Sequence, residues 1–464
     1  MNNNLPIEKI REYTCLYKSS TWESRIILRY DVVYSLFTEW NNKPCSFYTI
    51  EWGDAPRKRS RQEENGTKYM LYSATNMAHT TNSEAYLSIL ECQLYPEGSP
   101  LNYGLVNTIQ SSKRTNLKHC DNVNFYQRIS HHESGSLQQA RLLTSQKVVT
   151  SGKRFIYVWD LKNTLVRSEN ERPTAQIKLA LDDSSSSIIG PALCVVKNKQ
   201  IVVNGAENGY LALWNLADYQ TGSNQRALVP RNKNKITDDP TNKILSCDCK
   251  EDSTNVSCTS SRGNVIIWDY RTNKIAQNVE KAHKAAAMSC HMNPHKEHYL
   301  LTSSADGIIE WWDTRKMKNV FNSKKPSSLS TFKQHQSSVN KVSWSPHNNE
   351  LFASCSDDCS VIIWNTEVKD KNKNDKQEGA KFKHTGHRQK VLDIAWHPDP
   401  EFSKTIASVS PFARCSSDQG VAGLLQVWRP NIFKVSTIYG RLFLDKKNIV
   451  HFINKKQFTS FLNK

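Results

Sequence analysis

Four residues in one stretch have the chemistry to act together: His335, Ser354, Asp358 and Trp364. An imidazole, a hydroxyl, a carboxylate and an indole N–H at this spacing form a hydrogen-bonded relay that ties the entry of a segment to its centre. Catalysis by such a histidine needs a nucleophile or a metal partner beside it, so the relay is read as structural. The elements that must position it are three short strands. Residues 339–344 alternate toward Ser345-Pro346, residues 351–355 form a second run, and residues 360–364 a third. Ser356-Asp357-Asp358 between the last two runs suits a tight antiparallel turn.

The unit recurs. Its closing tryptophans are Trp159, Trp214, Trp268, Trp312, Trp364 and Trp428, separated by 55, 54, 44, 52 and 64 residues, and most are followed by Asp or Asn. Short strands in units ending in Trp-Asp are the signature of a WD-repeat blade, with the excess length in loops. A second copy, His283, Thr302, Asp306 and Trp312, fills all four relay positions. Elsewhere Lys153, Asn208 and Arg262 replace the turn aspartate, so the early blades should be held more by core packing than by polar relays. Runs at 45–53 and 69–95 supply the strands for a further blade. The expected fold is all-β, a seven-bladed propeller with an N-terminal α-helix packed on its side. A propeller must close to remove its edge strands, usually by an N-terminal strand joining the last blade.

The 464 residues include 12 scattered Cys without zinc spacing, which read as small buried residues in a reducing compartment. The start, Met1-Asn2-Asn3-Asn4, is polar, and no apolar run approaches a membrane span, so a soluble intracellular protein without membrane contact is expected. The net charge of +18 favours anionic partners, nucleic acid above all, or marks a solvated surface. With no Gly-rich phosphate loop, paired-carboxylate motif, nucleophile elbow or zinc signature, neither an enzyme nor a cofactor is expected.

In chain order, residues 1–42 read as a helical segment, 43–430 as the propeller and 431–464 as a basic tail. Ile26, Tyr30, Val33, Phe37 and Trp40 are spaced as one apolar helical face. Leu28, Arg29 and Val32 lie on the other, a face suited to a partner. The cluster Arg57, Lys58, Arg59 and Arg61 reads as a nuclear-import signal, a phosphate-contacting patch or a solvated loop. Residues 97–123 read as a surface loop. Residues 366–383 form a loop with six Lys, including Lys369 and Lys371, against Glu367, Asp370, Asp375 and Glu378.

Trp22, Tyr30-Asp31, Val33 and Glu39-Trp40, with WSPHNNELFASCSDD at 344–358, KAHKAAAMSCHMNPHKEHYLLTSSAD at 281–306 and HTGHRQKVLDIAWHPD at 384–399, resemble the retinoblastoma-associated, Msi-type histone-binding WD-repeat proteins, most of all their plant Msi4/FVE-like branch. The resemblance implies a nuclear adaptor in chromatin assembly, deacetylase, remodelling or Polycomb methyltransferase complexes. It implies a groove for the first helix of histone H4, or for a partner subunit's segment, lined here by Leu28, Arg29, Val32 and Phe382. Where the family's loop before the last blade is acidic, this one is lysine-rich. The acidic residues with which the family grips the histone H3 tail correspond to Ser136, Gly190, Leu245, Ala287 and Ser338, so weakened tail binding is expected. Asp269 with Arg271, and Asp313 with Arg315, match the WDxR box of propellers that dock the Cullin4 ligase adaptor, although such residues also serve ordinary blade ends.

Overall fold

β-Branched and aromatic runs punctuated by Gly, Asn, Asp and Ser turns dictate short antiparallel strands. In a computed structural model, which describes residues 30–40, 43–53, 67–77, 85–95, 123–130, 137–161, 177–182, 188–218, 228–230, 232–236, 239, 241–317, 328–367, 379–411 and 423–430, these strands build a seven-bladed all-β WD40 propeller. Helix among the described residues is limited to short 3₁₀ turns and the single α-helical residue Leu161.

Blade 1 has an inner strand in two pieces, Lys43–Phe47 and Glu51–Trp52, followed by Thr67–Met77, Ala85–Leu94 and Val123–Ser130. Blades 2 to 6 are four-stranded sheets whose inner strands are Gln139–Thr144, Ala192–Val196, Ile244–Cys249, Ala287–Met292 and Val339–Trp344. Blade 7 consists of Asp393–Trp396, Ile406–Ser410 and Gly423–Pro430, completed by Tyr30–Trp40. The last blade and the first are thereby joined in one nine-stranded sheet.

The expected N-terminal helix, residues 1–42, is corrected over its described part: Tyr30–Trp40 is an eleven-residue strand. Tyr30, Val32, Tyr34 and Leu36 alternate with Asp31, Val33 and Ser35, so period two fits this stretch as well as the helical spacing does. The open edge of Gly423–Pro430 decides between them, because it offers backbone partners that an isolated helix does not need. The closing strand demanded by the architecture is therefore the segment read as helical. Residues 1–29, 96–122 and 431–464 lie outside the described residues.

Two compact units divide the chain. The smaller, Met1–Val33, Tyr95–Cys120 and Trp428–Lys464, contains a hydrogen bond from the Arg429 guanidinium to the Tyr95 carbonyl at 3.1 Å. The larger, Tyr34–Leu94 and Asp121–Val427, holds the seven inner strands, each neighbouring the next and the last neighbouring the first.

Its apolar cores lie between consecutive blades. Leu87 and Ile129 of blade 1 pack with Leu142 and Trp159 of blade 2, and Leu301 and Phe332 of blade 5 with Trp344 and Trp364 of blade 6. The unit-closing tryptophans 159, 214, 268, 312, 364 and 428 are all buried. Each contributes a few kcal/mol of apolar burial, on the order of 1.5–3 for a large side chain.

Polar latches run along the same inner strands. An acceptor on one strand takes a backbone N–H of the next: Glu51 from Leu142 at 3.0 Å, Asp248 from Met292 at 2.7 Å, His291 from Trp344 at 3.2 Å and Asp393 from Ile50 at 3.1 Å. Indoles latch backward, Trp396 to the Ser343 carbonyl and Trp52 to the Ala395 carbonyl, both at 3.1 Å. At the closing junction Arg141 lies 3.5 Å from Asp393. Burial works against the Arg141 charge, but Asp393 and Glu51 outweigh it and raise its pKa. Burial raises the Glu51 carboxyl against the pull of Lys197 and Arg141. Asp393→Ala strands both the Ile50 amide and the Arg141 charge, so urea denaturation should show a loss of about 3–5 kcal/mol. Adding Arg141→Met should restore part of that loss by removing the stranded cation.

Candidate functional site

The relay read from sequence is present in blade 6. His335 Nε2 meets Ser354 Oγ at 2.7 Å, His335 Nδ1 meets Asp358 Oδ2 at 2.9 Å, and Trp364 Nε1 donates to Ser354 Oγ at 2.8 Å. Burial opposes the Asp358 charge, but hydrogen bonds from His335, Ser360 and the Gln336 amide hold its carboxyl well below the usual range. In blade 5, Thr302 Oγ1 takes His283 Nε2 at 2.7 Å and Trp312 Nε1 at 2.8 Å, while Asp306 accepts from the Ile308 amide at 3.2 Å.

The earlier blades depart from this in graded steps. Trp159 keeps a hydroxyl acceptor, Thr150, at 2.8 Å, and Trp214 turns to the Leu228 carbonyl at 3.2 Å. In blade 4 the acceptor position, ten residues before the tryptophan, is Cys258, and Trp268 Nε1 is buried without a partner. Five residues before the tryptophan, Gly209, Gly263 and Gly307 adopt φ of 79°, 79° and 84°, and Cys359 is forced to 62° at the corresponding place in blade 6. Ser354→Ala should cost about 2–3 kcal/mol in thermal denaturation, because the buried Trp364 N–H loses its acceptor and His335 Nε2 loses its hydroxyl partner, whereas Cys258→Ser should stabilise by about 1 kcal/mol.

Between the outer strand of blade 6, which ends at His384, and the entry to blade 7 lies a histidine pair that the sequence reading missed. His387 Nε2 meets Ser408 Oγ at 2.7 Å, and His384 Nε2 meets Gln426 Oε1 at 2.8 Å. Its signal was the His-Thr-Gly-His spacing, which repeats the placement of His335 ahead of its blade. Burial pushes His384 down to about 4, and burial together with the neighbouring His384 pushes His387 well below its ordinary value.

The other anticipated residues are scattered. Leu28 and Arg29, the basic cluster Arg57, Lys58, Arg59 and Arg61, the loop residues Lys369, Asp370, Lys371 and Asp375, and Ser136 lie outside the described residues. Val32 sits in a strand, not a helix, and Phe382 is half-buried in the outer strand Ala380–His384. The groove's expected helical wall is therefore a strand from residue 30 onward. In the WDxR boxes, Arg315 is clasped by its own Asp313, with Nε–Oδ1 at 3.0 Å and Nη2–Oδ2 at 2.8 Å. Arg271 is 74% exposed and its Nη2 stands 4.0 Å from Asp269, which is occupied by the Arg271 amide and Thr272. Of the positions matched to an acidic tail-gripping surface, Gly190 and Ala287 are buried, and Leu245 and Ser338 half-buried.

Hydrogen bonds show which loops share a face. In blades 4 and 6 the turn before the third strand bonds the entry segment of its own blade and of the next: Ser261 to Lys243 and His283 to Gly263, then Asp357 to Ser338 and Val391 to Ser356. Among the described residues these turns and entry segments share one face of the larger unit, a crown.

The WD domain, G-beta repeat model matches residues 326–365 and 380–421, which fall across blades 6 and 7. Histone-binding protein MSI1 of Saccharomyces cerevisiae is 23% identical over 436 residues, spanning 88% of this chain and 93% of its own length. The chain is similar to this Msi-type WD-repeat protein over nearly its whole length. WD-40 repeat-containing proteins MSI4 and MSI3 of Arabidopsis thaliana are 27% and 30% identical, over 59% and 40% of this chain and 57% and 43% of their own lengths. In this propeller the buried histidines set an acid limit. The unfolded chain protonates His384 near pH 6.5 and the folded chain not until about pH 4, and His387 is shifted in the same direction, so stability is full above pH 6.5 and falls as pH drops through that window. Chemical denaturation at a series of pH values should show the fall, and His384→Gln should flatten it.

Proposed function

We propose that this chain is a non-catalytic adaptor subunit of a nuclear chromatin-modifying or chromatin-assembly complex, one that engages histone tails weakly on its own. What carries the reading is the correspondence, nearly end to end, with a relative whose name states that it binds histones. The polar clusters support a scaffold: the relay hydroxyls Ser354 and Thr302 are buried and saturated by histidine and indole, and are not presented to a substrate. Weak tail binding is supported by Gly190, Leu245, Ala287 and Ser338, where no acid is available to pair with a basic tail, and by the +18 charge, which repels one.

A second reading, a substrate receptor for a Cullin4-type ubiquitin ligase, is favoured by one observation, the exposed guanidinium of Arg271. Tagged purification from nuclear extract, with mass spectrometry of what stays bound, separates the two. The adaptor reading expects deacetylase, methyltransferase or assembly-factor subunits. Recovery of the ligase adaptor alone, lost in Arg271→Ala, overturns it. In parallel, a histone H3 tail peptide should bind the purified chain at least about tenfold more weakly than it binds yeast MSI1, a difference of about 1.4 kcal/mol; equal affinity would remove the weakened-binding clause.

A further inference from the structure

The crown of turns and entry segments carries an arc of basic side chains over blades 5, 6 and 7. Lys281 and Lys284 lie in the entry to blade 5, Lys333 in the entry to blade 6, and Arg388 and Lys390 in the entry to blade 7, and all five are exposed. Their positions on one face follow from the backbone ring: His283 N–H to Gly263 O, Ala305 N–H to Ala286 O, Asp357 N–H to Ser338 O and Val391 N–H to Ser356 O.

The acids of the same arc are largely engaged. Asp358 accepts from His335 and from the Gln336 amide, with Lys383 Nζ at 3.9 Å. Asp357 accepts from Asn340 Nδ2 at 2.7 Å, and Asp306 caps the Ile308 amide. Glu280 remains exposed beside Lys281. Farther round, Lys243 pairs with Glu207 at 3.0 Å and Arg262 with Asp239, and Lys153 stands exposed in the turn of blade 2. The arc over blades 5 to 7 places five exposed cations on three consecutive blades.

We propose that this arc binds the phosphate backbone of duplex DNA. Cations distributed over three consecutive blades match a ligand that repeats its charge along a line, and each phosphate neutralised releases condensed counterions. The +18 charge of the whole chain extends the attraction beyond the contact itself, which fits a polyanion longer than the protein. Among these groups are flexible lysines rather than a bidentate, stacked constellation, so the contact positions the duplex without reading bases.

The test uses the full chain and a fluorescent random-sequence duplex of about 25 base pairs, followed by anisotropy at several salt concentrations. The entry-face triple Lys284→Glu, Lys333→Glu and Lys390→Glu should weaken binding at least about tenfold and reduce the log–log salt slope by about three. A control triple with the same charge change, Lys250→Glu, Lys274→Glu and Lys316→Glu, lies away from the crown and should have a much smaller effect. Lys→Gln at the entry-face positions should act in the same direction more weakly, and an unchanged melting curve shows that the fold is intact. Equal weakening by both triples would overturn the proposal in favour of the general field of the chain. No change in the entry-face triple would also overturn it. So would a polyglutamate peptide whose binding depends on these lysines while the duplex does not compete, since that result assigns the arc to an acidic protein partner.

Discussion

The inner strand of each blade pairs with its own sheet along one edge and turns the other toward the ring's interior, where its amides have no ladder to join. In this protein those amides are met by side chains of the preceding blade: Glu51 for Leu142, Asp248 for Met292, His291 for Trp344 and Asp393 for Ile50. The rest of the architecture depends on this arrangement. The apolar clusters between blades have no directionality and would tolerate sliding, whereas a carboxylate bound to one amide fixes the stagger of adjacent sheets. Charged pairs between inner strands, Arg141 with Asp393 and Glu51 with Lys197, add to these contacts.

Much of this fold was legible because its signals are local and repeated. The tryptophans, their spacing and the His–Ser–Asp–Trp set each describe one blade, and the structure places them as one blade would require. Tyr30–Trp40 was not legible, because period two and period 3.6 both fit its residues, and what decides the conformation is a strand edge nearly four hundred residues away in sequence. The latches were also missed. Glu51, Asp248 and Asp393 look like interruptions in apolar strand runs, and nothing local says that each interruption answers an amide on the next blade. The WDxR boxes read alike in sequence and differ in structure, Arg315 being folded back on Asp313 and Arg271 standing out.

The polar interior differs from blade to blade. Blades 5 and 6 keep the histidine–hydroxyl–indole contacts, and blade 7 keeps its histidine–serine pair. Blade 4 has lost the hydroxyl to Cys258 and leaves Trp268 Nε1 unsatisfied. A blade whose polar interior has decayed but whose interblade core remains is held by shape more than by hydrogen bonds. That matches the packing of Ile244, Val256, Ile266 and Trp268 against blade 3.

The sheet that seals the ring also has a consequence for synthesis. Its outer strand comes from residues 30–40 and its other three from residues 393–430, so it cannot assemble until nearly the whole chain has been made. At typical ribosomal rates of about 5–20 residues per second, the Tyr30–Trp40 strand waits on the order of 20–80 seconds for its partner. During that interval its backbone edges are unpaired while blades 2 to 6, each built from contiguous sequence, are free to form. Whatever shelters that early strand in the meantime, a chaperone or a non-native contact in the nascent chain, governs how much of the protein reaches a closed ring.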